Sequence, residues 1–223
     1  MKPLLLALDT THELGSLALL RGEETLEEVA VHAPEGFAHV IYRELRKLLD
    51  RRSVALADID CFASASGPGS FTGVRVGLSC IKGLAEACGR PALAVSNLQA
   101  VASFGTAALR AVLIDARRGQ VYAAVYNEKG EIVEAEVVMG LGAWLAGLPE
   151  RDLQFVSMDF APFEQELAAS RVAHASRVTA RSALAAAIGQ IASRRFCAGE
   201  AADPAALDAN YVRRSDAELF WKE

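Results

Sequence analysis

The chain has 223 residues, of which 52% are hydrophobic and 23% charged, and its formal net charge is −5. This length suffices for one large domain or two small ones with a buried core. The acidic balance argues against a protein that binds nucleic acid by itself, because such proteins usually present a basic face. No apolar stretch is long enough to span a bilayer, so we predict no membrane segment.

The first eight residues contain one lysine and a brief apolar run that is too short for a signal peptide. The cysteines show no C-x-x-C spacing and lie among apolar residues, as expected for small core residues of a protein in a reducing compartment. These features predict a cytoplasmic protein. The cysteines are Cys61, Cys80, Cys88 and Cys197.

The chain opens with a predicted β-meander. Residues 4–8 form an apolar run that ends at Asp9, and residues 15–20 and 25–31 follow as two further strands. A helix is predicted over residues 36–52, because apolar side chains recur there at helical spacing. His39 and Tyr42 lie near this apolar face, and Arg43 occupies the position where a second histidine would complete a metal-binding pair. The face consists of Phe37, Ile41, Leu45, Leu48 and Leu49.

Residues 61–85 hold the most distinctive stretch of the chain. A short strand over 61–66 is followed by a turn at Gly67-Pro68-Gly69. Ser70 or Thr72 is then placed to cap a helix. The apolar face of this helix consists of Val74, Leu78, Ile81 and Ala85.

Glycines recur every four residues along this helix, at Gly69, Gly73 and Gly77. A glycine inside a helix costs roughly 0.5–1 kcal/mol relative to alanine, so the repeat requires a reason. One reason is close packing of the helix on its own sheet, and another is close approach of a second helix. A third, phosphate binding at the helix N-terminus, ranks behind these because the Lys-Ser/Thr ending of a P-loop is absent.

A strand over 91–95 and a helix over 97–104, capped by Ser96, complete the first half. The opening pattern then recurs: strands over 111–115, 120–126 and 131–138 again form a meander, with a hairpin turn at 127–130. Asp115 takes the place of Asp9 at the end of the first strand. We therefore predict an internal duplication into two lobes, residues 1–104 and 105–223.

The second lobe is predicted to be reduced. It contains helices over 141–146, 162–169 and 180–196, a strand over 153–158 and a loop over 199–207. The tail that carries Trp221 is expected to pack back on another element, with the first lobe as the candidate.

This plan predicts an α/β protein that resembles the two-lobed fold of actin, hexokinase and Hsp70, with duplicated mixed-sheet domains. In active members of that superfamily, the two hairpins cradle nucleotide phosphates and their aspartates hold the metal or activate water. Such a cradle requires a tight turn that contains glycine. Here the first turn lacks glycine next to its aspartate, so we predict only a vestigial nucleotide site, formed by Asp9, Thr10, Thr11 and Asp115. No Ser/His/Asp or Cys/His set can be assembled.

Four segments carry a resemblance to one family. They are LALDTT (6–11), SGPGSFTGVRVG (66–77), IDAR with QVY (114–117 and 120–122) and YVR (211–213). With these motifs in order over nearly its whole length, the chain resembles the bacterial TsaB (YeaZ) family. The second segment is highly specific, whereas the others would be weak alone.

The resemblance implies a non-catalytic subunit for synthesis of N6-threonylcarbamoyladenosine (t6A) at the tRNA adenosine beside the anticodon. The paralogue TsaD would carry the metal and transfer the threonylcarbamoyl group, and the ATPase TsaE would join the pair. This chain alone would bind no cofactor, ATP and Mg²⁺ would act at the level of the complex, and tRNA would be contacted indirectly. A homodimer is expected for the chain in isolation.

The resemblance also implies a partner-binding surface on the first helix and the glycine helix, which favours the second explanation of the glycine repeat. Its residues are Phe37, His39, Ile41, Tyr42, Leu45, Gly73, Val74, Gly77, Leu78 and Ile81. The alternative is an ATP-binding enzyme of the sugar-kinase and Hsp70 superfamily, which Asp9 and Asp115 motivate. The label "glycoprotease" also attaches to this superfamily, but no nucleophile in the chain supports peptidase activity.

Overall fold

The computed structural model describes residues 2–213, so the predicted packing of Trp221 lies outside the described part of the chain. The chain divides into two compact units. Unit 1 comprises the residues up to Ala100 together with Ser182–Asn210, and unit 2 comprises Val101–Arg181 and the segment that begins at Tyr211. The first boundary falls near the predicted one, but residues 182–210 group with unit 1, whereas the prediction assigned them to the second lobe.

Unit 1 is built on a five-stranded mixed sheet. A meander of three antiparallel strands comes first, and β4 and β5 then continue the sheet parallel to β1, in the order β3-β2-β1-β4-β5. Every residue of β1 is buried, which explains its continuous apolar run. The strands are β1 (Leu4–Asp9), β2 (Leu14–Arg21), β3 (Glu24–His32), β4 (Cys61–Ala65) and β5 (Ala92–Val95).

Three helices of unit 1 follow its strands in sequence. They are α1 (Ile41–Arg52), α2 (Phe71–Cys88) and α3 (Asn97–Ala102), whose last two residues lie beyond the unit boundary at Ala100. The single helix predicted over 36–52 is divided, because a 3₁₀ turn over Phe37–His39 precedes α1 and Val40 departs from helical dihedral angles, with φ −118° and ψ −23°. The predicted apolar face of this segment is buried in the core.

Helix α2 packs on its own sheet through its glycines. Ser70 caps the helix by accepting a hydrogen bond from the Gly73 N–H (3.3 Å). A Cβ on Gly73 would overlap the carbonyl oxygen of Thr10, and one on Gly77 would lie 2.6 Å from the Thr10 Oγ1. The Thr10 hydroxyl also donates to the Gly73 carbonyl (2.7 Å). The interpretation of the glycines as a contact surface for a second helix is therefore wrong, because they face the end of β1.

Helix α6 (Ala185–Cys197) belongs to unit 1, although the sequence suggested the second lobe and an earlier start at residue 180. The Ser16 hydroxyl accepts hydrogen bonds from the N–H groups of Leu184 (3.1 Å) and Ala185 (2.9 Å), so β2 caps the helix. Further along, a Cβ on Gly189 would overlap the side chain of Leu20. The helix thus lies directly on the sheet of unit 1.

Unit 2 repeats the topology of unit 1. A meander of three strands again comes first, and two parallel strands extend the sheet beside its first strand, in the order β10-β9-β6-β7-β8. Its short helices are α4 (Leu141–Gly147) and α5 (Glu164–Ala169). The strands are β6 (Leu109–Asp115), β7 (Gln120–Asn127), β8 (Ile132–Gly140), β9 (Leu153–Ser157) and β10 (Ser176–Thr179).

The two sheets agree with the predicted duplication of an actin- and hexokinase-like fold. Strand β10 was not predicted, because its four residues are mostly exposed and show no apolar alternation. The cysteine at position 197 is exposed rather than buried as expected. None of the helices within residues 2–213 combines the length and apolarity needed to cross a membrane.

The close packing of α2 predicts that Gly73→Ala destabilises the protein. The new methyl group must displace backbone at Thr10, so we expect the free energy of unfolding to fall by about 1–3 kcal/mol. Gly83→Ala on the same helix is the matched control, since nothing lies within 4 Å of its Cβ position, and it should raise stability by about 0.4–1 kcal/mol. Urea denaturation measures both, and equal effects would contradict the packing.

Candidate functional site

Asp9, the aspartate expected at a vestigial nucleotide site, lies at the end of β1 and is fully buried. Its Oδ1 accepts hydrogen bonds from the N–H (2.9 Å) and the hydroxyl (2.6 Å) of Thr11. Its Oδ2 has no hydrogen-bond partner within residues 2–213 and lies 3.8 Å from the His12 Nδ1. One carboxylate oxygen is therefore engaged by the turn, and the other receives no hydrogen bond from the described residues.

The turn after β1 is joined to the Gly-Pro-Gly turn by Asn97. The Asn97 amide donates to the Thr11 Oγ1 (2.7 Å), and its Oδ1 accepts from the Gly67 N–H (2.9 Å). Asn97 is fully buried. Asn97 and His12 were missed as site residues, because neither belongs to a recognisable motif and only the fold brings Asn97 to the turn.

The electrostatics of this turn favour an ionised Asp9. Burial by itself raises the pKa of the carboxyl, but the His12 imidazole 3.8 Å away and the hydrogen bonds from Thr11 outweigh it, so the net pKa is lowered. Asp9 therefore remains a carboxylate at neutral pH, held inside unit 1.

The turn does not fit a nucleotide phosphate or its Mg²⁺. Thr10 and Thr11 are each 1% exposed. The Gly-Pro-Gly turn and α2 cover them closely: a Cβ on Gly69 would lie 2.7 Å from the Thr11 carbonyl oxygen, and one on Gly73 would overlap the Thr10 carbonyl oxygen. No group of three or more acidic, histidine or cysteine side chains suited to hold a metal occurs within the described residues. The turn thus offers one orphaned carboxylate oxygen and no open backbone cradle.

Asp115, the second predicted aspartate, lies in unit 2 at the end of β6. Its Oδ1 accepts the Arg117 N–H (2.8 Å), and its Oδ2 lies 3.3 Å from the Arg117 Nη1. The side chain is 30% exposed. The partner of this aspartate is therefore a guanidinium in the adjoining turn.

An apolar groove of about 490 Å³ lies in unit 1 beside α1 and α2. Tyr42 is 56% exposed and Phe71 is 40% exposed, which is unusual for aromatic side chains. The Arg75 guanidinium stacks 3.7 Å above the Phe71 ring. The lining also includes Val76, Ser79 and Cys80. The groove therefore combines exposed apolar side chains with the planar guanidinium of Arg75.

The predicted partner-binding residues separate into two groups. His39 and Tyr42 are exposed. The other eight are buried in unit 1 and position the two helices: Phe37, Ile41, Leu45, Gly73, Val74, Gly77, Leu78 and Ile81. Phe71, Arg75 and Val76 were missed, although they lie on the face of α2 that its glycines leave outward and could have been found from that helical spacing.

The buried cysteines offer no nucleophile. Burial, with a contribution from Asp60, raises the pKa of Cys61 to about 12. Burial raises the pKa of Cys80 to about 11, although a hydrogen bond with Tyr42 opposes the rise. Both side chains remain thiols at neutral pH, whereas the thiolate is the reactive form.

Comparison with known proteins adds to this geometry. Residues 29–214 match the family model described as TsaD, tRNA N6-adenosine threonylcarbamoyltransferase. A Bacillus subtilis relative, described as tRNA threonylcarbamoyladenosine biosynthesis protein TsaB, is 31% identical and aligns over 98% of both chains. A Haemophilus influenzae protein of the same description is 40% identical over 53% of this chain and 51% of its own.

Solved structures show the same likeness. A Pseudomonas aeruginosa protein described as similar to peptidase YEAZ superposes with a TM-score of 0.81 and 30% identity, covering 95% of this chain and all of that one. A structure described as YeaZ from the same organism gives 0.79 and 29%, over 94% and 99% of the two chains. A dehydratase activator from Clostridium difficile, at 0.53 and 10% over 88% and 97%, shares the fold alone.

The environment of Asp9 predicts a pH-dependent contribution to stability. Because its folded pKa is lowered, the contribution is present above the ordinary carboxyl pKa near 3.8 and is lost as the pH falls through the folded value. Asp9→Asn should therefore destabilise the protein at pH 7 by about 1.5–3 kcal/mol, the range for hydrogen bonds to charged groups. As the pH falls through the lowered folded pKa of Asp9, the variant and the wild type should converge. Denaturant unfolding across this range tests the prediction.

Asp115→Asn is the matched control for this experiment, because its carboxylate is partly exposed and pairs with an exposed arginine. Such pairs contribute about 0–1 kcal/mol. A difference between Asp9→Asn and wild type that stays constant from pH 7 down through the acid range in which wild-type Asp9 becomes protonated would contradict the proposed role of the ionised carboxylate.

Proposed function

Because the chain belongs to the TsaB (YeaZ) family, we propose that it serves tRNA threonylcarbamoyladenosine biosynthesis as a non-catalytic subunit that binds a TsaD-type transferase. In this role it supports the transferase, which modifies the adenosine beside the anticodon, and a TsaE-type ATPase joins the complex. The observation that carries the proposal is the exposed aromatic groove beside α1 and α2.

The groove has the composition of a protein-binding surface. Tyr42 and Phe71 are exposed although aromatic side chains carry much of the binding energy at interfaces. Arg75 stacks on Phe71, which supports a guanidinium in a fixed orientation beside the apolar floor. Aromatic and arginine side chains are enriched at such interfaces.

We assign the groove to a TsaD-type chain in particular. The family model that matches this chain describes TsaD, so the two proteins share an ancestor and the partner would present the same helices. Two related chains can then pair through equivalent surfaces, helix against helix. The same surface could pair with a second copy of this chain, which is the homodimer expected in isolation.

A non-catalytic role is supported by the state of the candidate reactive groups. Asp9 is fully buried, and Asp115 is paired with Arg117. The turn after β1 does not fit a phosphate, and the buried cysteines are protonated thiols. ATP and Mg²⁺ therefore belong to the complex in this proposal, and neither ATP hydrolysis nor peptide hydrolysis is assigned to this chain.

The proposal predicts that Tyr42→Ala with Phe71→Ala weakens binding to the TsaD-type partner from the same organism. Losing two exposed aromatic anchors should raise the Kd more than about tenfold, since hot-spot side chains contribute about 2 kcal/mol or more. Light scattering after gel filtration gives the stoichiometry, and calorimetry gives the Kd. The wild type should form a one-to-one complex that displaces any homodimer.

The matched control is Ile132→Ala with Val133→Ala, which removes two exposed apolar side chains from unit 2. It should leave the affinity unchanged. Two unmixed peaks with wild-type protein at micromolar concentration would overturn the partner role, and equal losses in both double variants would overturn the assigned surface.

Calorimetric titration with Mg-ATP tests the alternative, an ATP-binding enzyme of the sugar-kinase and Hsp70 superfamily. We expect no micromolar binding to the isolated chain, because the turn at Asp9 is covered by α2 and the Asp115 carboxylate is already paired with Arg117. Micromolar binding that Asp9→Ala abolishes would replace our proposal with the alternative.

A further inference from the structure

The turn that connects β6 and β7 differs from its counterpart in unit 1. In unit 1 the turn after β1 is covered by α2, and its threonines are buried. In unit 2, Arg117, Arg118 and Gly119 are all exposed, and nothing lies within 4 Å of the Cβ position of Gly119. The duplicated fold therefore keeps one hairpin turn closed and the other open to solvent.

The open turn presents two adjacent guanidinium groups in a defined geometry. Arg117 and Arg118 have left-handed backbone conformations, with φ 62° and 56°. The Arg117 N–H donates to Asp115, and the Gln120 N–H donates to the Arg117 carbonyl (3.0 Å), which closes the turn. The backbone of the turn is thereby fixed, whereas the Arg117 side chain is 84% exposed.

A third guanidinium reaches the same turn from the far end of the described chain. The Arg213 Nη1 donates to the Ala116 carbonyl (2.8 Å), and its Nη2 donates to the Gln120 Oε1 (2.6 Å). Its guanidinium also lies 5.4 Å from the centre of the Tyr122 ring. These contacts bring together the IDAR, QVY and YVR segments, none of which lines the groove of unit 1.

Arginine is concentrated at this turn although the chain as a whole is acidic. Three guanidinium groups surround the turn, and the Asp115 carboxylate contacts the guanidinium of Arg117. Arginine binds phosphate oxygens in a bidentate manner and remains charged at any physiological pH. Arginines concentrated at one turn of an otherwise acidic protein favour binding of a polyanion that contacts the protein over a small area.

We infer that the β6–β7 turn, with Arg117 and Arg118 presented on it and Arg213 bracing it, contacts the phosphodiester backbone of an RNA. This inference rests on the proposed function, which makes a tRNA the substrate of the complex. It refines the expectation of purely indirect tRNA contact, because net charge describes the whole surface and not one turn. Arg213 acts as a positioning residue, since its guanidinium is bonded to the turn itself.

The test uses the full chain in complex with its TsaD-type partner and an unmodified tRNA transcript. Fluorescence anisotropy measures the Kd between about 50 and 200 mM salt for wild type and for Arg117→Gln with Arg118→Gln. The double variant should bind about tenfold more weakly, and its log Kd should depend less steeply on log salt by about one to two charges. Both residues are exposed, so the fold should persist.

The matched control is Arg21→Gln with Arg52→Gln, two exposed arginines of unit 1. It should bind RNA as tightly as the wild type. Unchanged affinity in the turn variant, or an equal loss in the control, would overturn the inference. Full displacement of RNA from the turn by millimolar inorganic phosphate would indicate a site for small anions and would also overturn it.

The two proposals fail separately. If the partner complex does not form by light scattering, the proposed function fails before any RNA is added. If the complex forms and binds RNA with no response to the turn variant, only the present inference fails.

Discussion

The architecture of unit 1 depends on how closely α2 approaches the end of β1. Gly73 and Gly77 leave no space for a side chain between the helix and Thr10. This approach buries the turn after β1, isolates the carboxylate of Asp9 and directs the opposite face of α2 outward. The exposed Phe71 and the inaccessible Asp9 are thus two results of one packing contact. The exposed aromatic face of α2 and the covered turn after β1 therefore arise together.

The duplicated topology makes the second unit an internal comparison for the first. Both sheets have the same strand order and an aspartate at the end of the first strand. Helix α2 covers the turn in unit 1, whereas the turn in unit 2 remains open and carries arginines. The same framework can therefore support a protein-binding surface in one copy and an anion-binding turn in the other.

Sequence patterns predicted the local elements well, because apolar runs and alternation report burial directly. The meanders and the duplication followed from these patterns, whereas the cap was narrowed only to Ser70 or Thr72, of which the structure uses Ser70. The direction of the glycine repeat did not, since spacing places glycines on one face of a helix without showing what that face meets. Likewise, the apolar face of α6 predicted a buried helix but not the sheet that buries it. Asn97 became part of the site only through a contact between distant segments.

The packing of α6 in unit 1 has a consequence for the folding of the protein during its synthesis on the ribosome. The five strands of unit 2 lie between Leu109 and Thr179, so its sheet can be complete while synthesis continues. The sheet of unit 1 emerges first but lacks α6 until residues 182–210 have left the exit tunnel. The apolar face of the unit 1 sheet that α6 covers in the folded protein is thus exposed while unit 2 is being translated. The N-terminal half is the last to mature, the reverse of the usual order for successive domains.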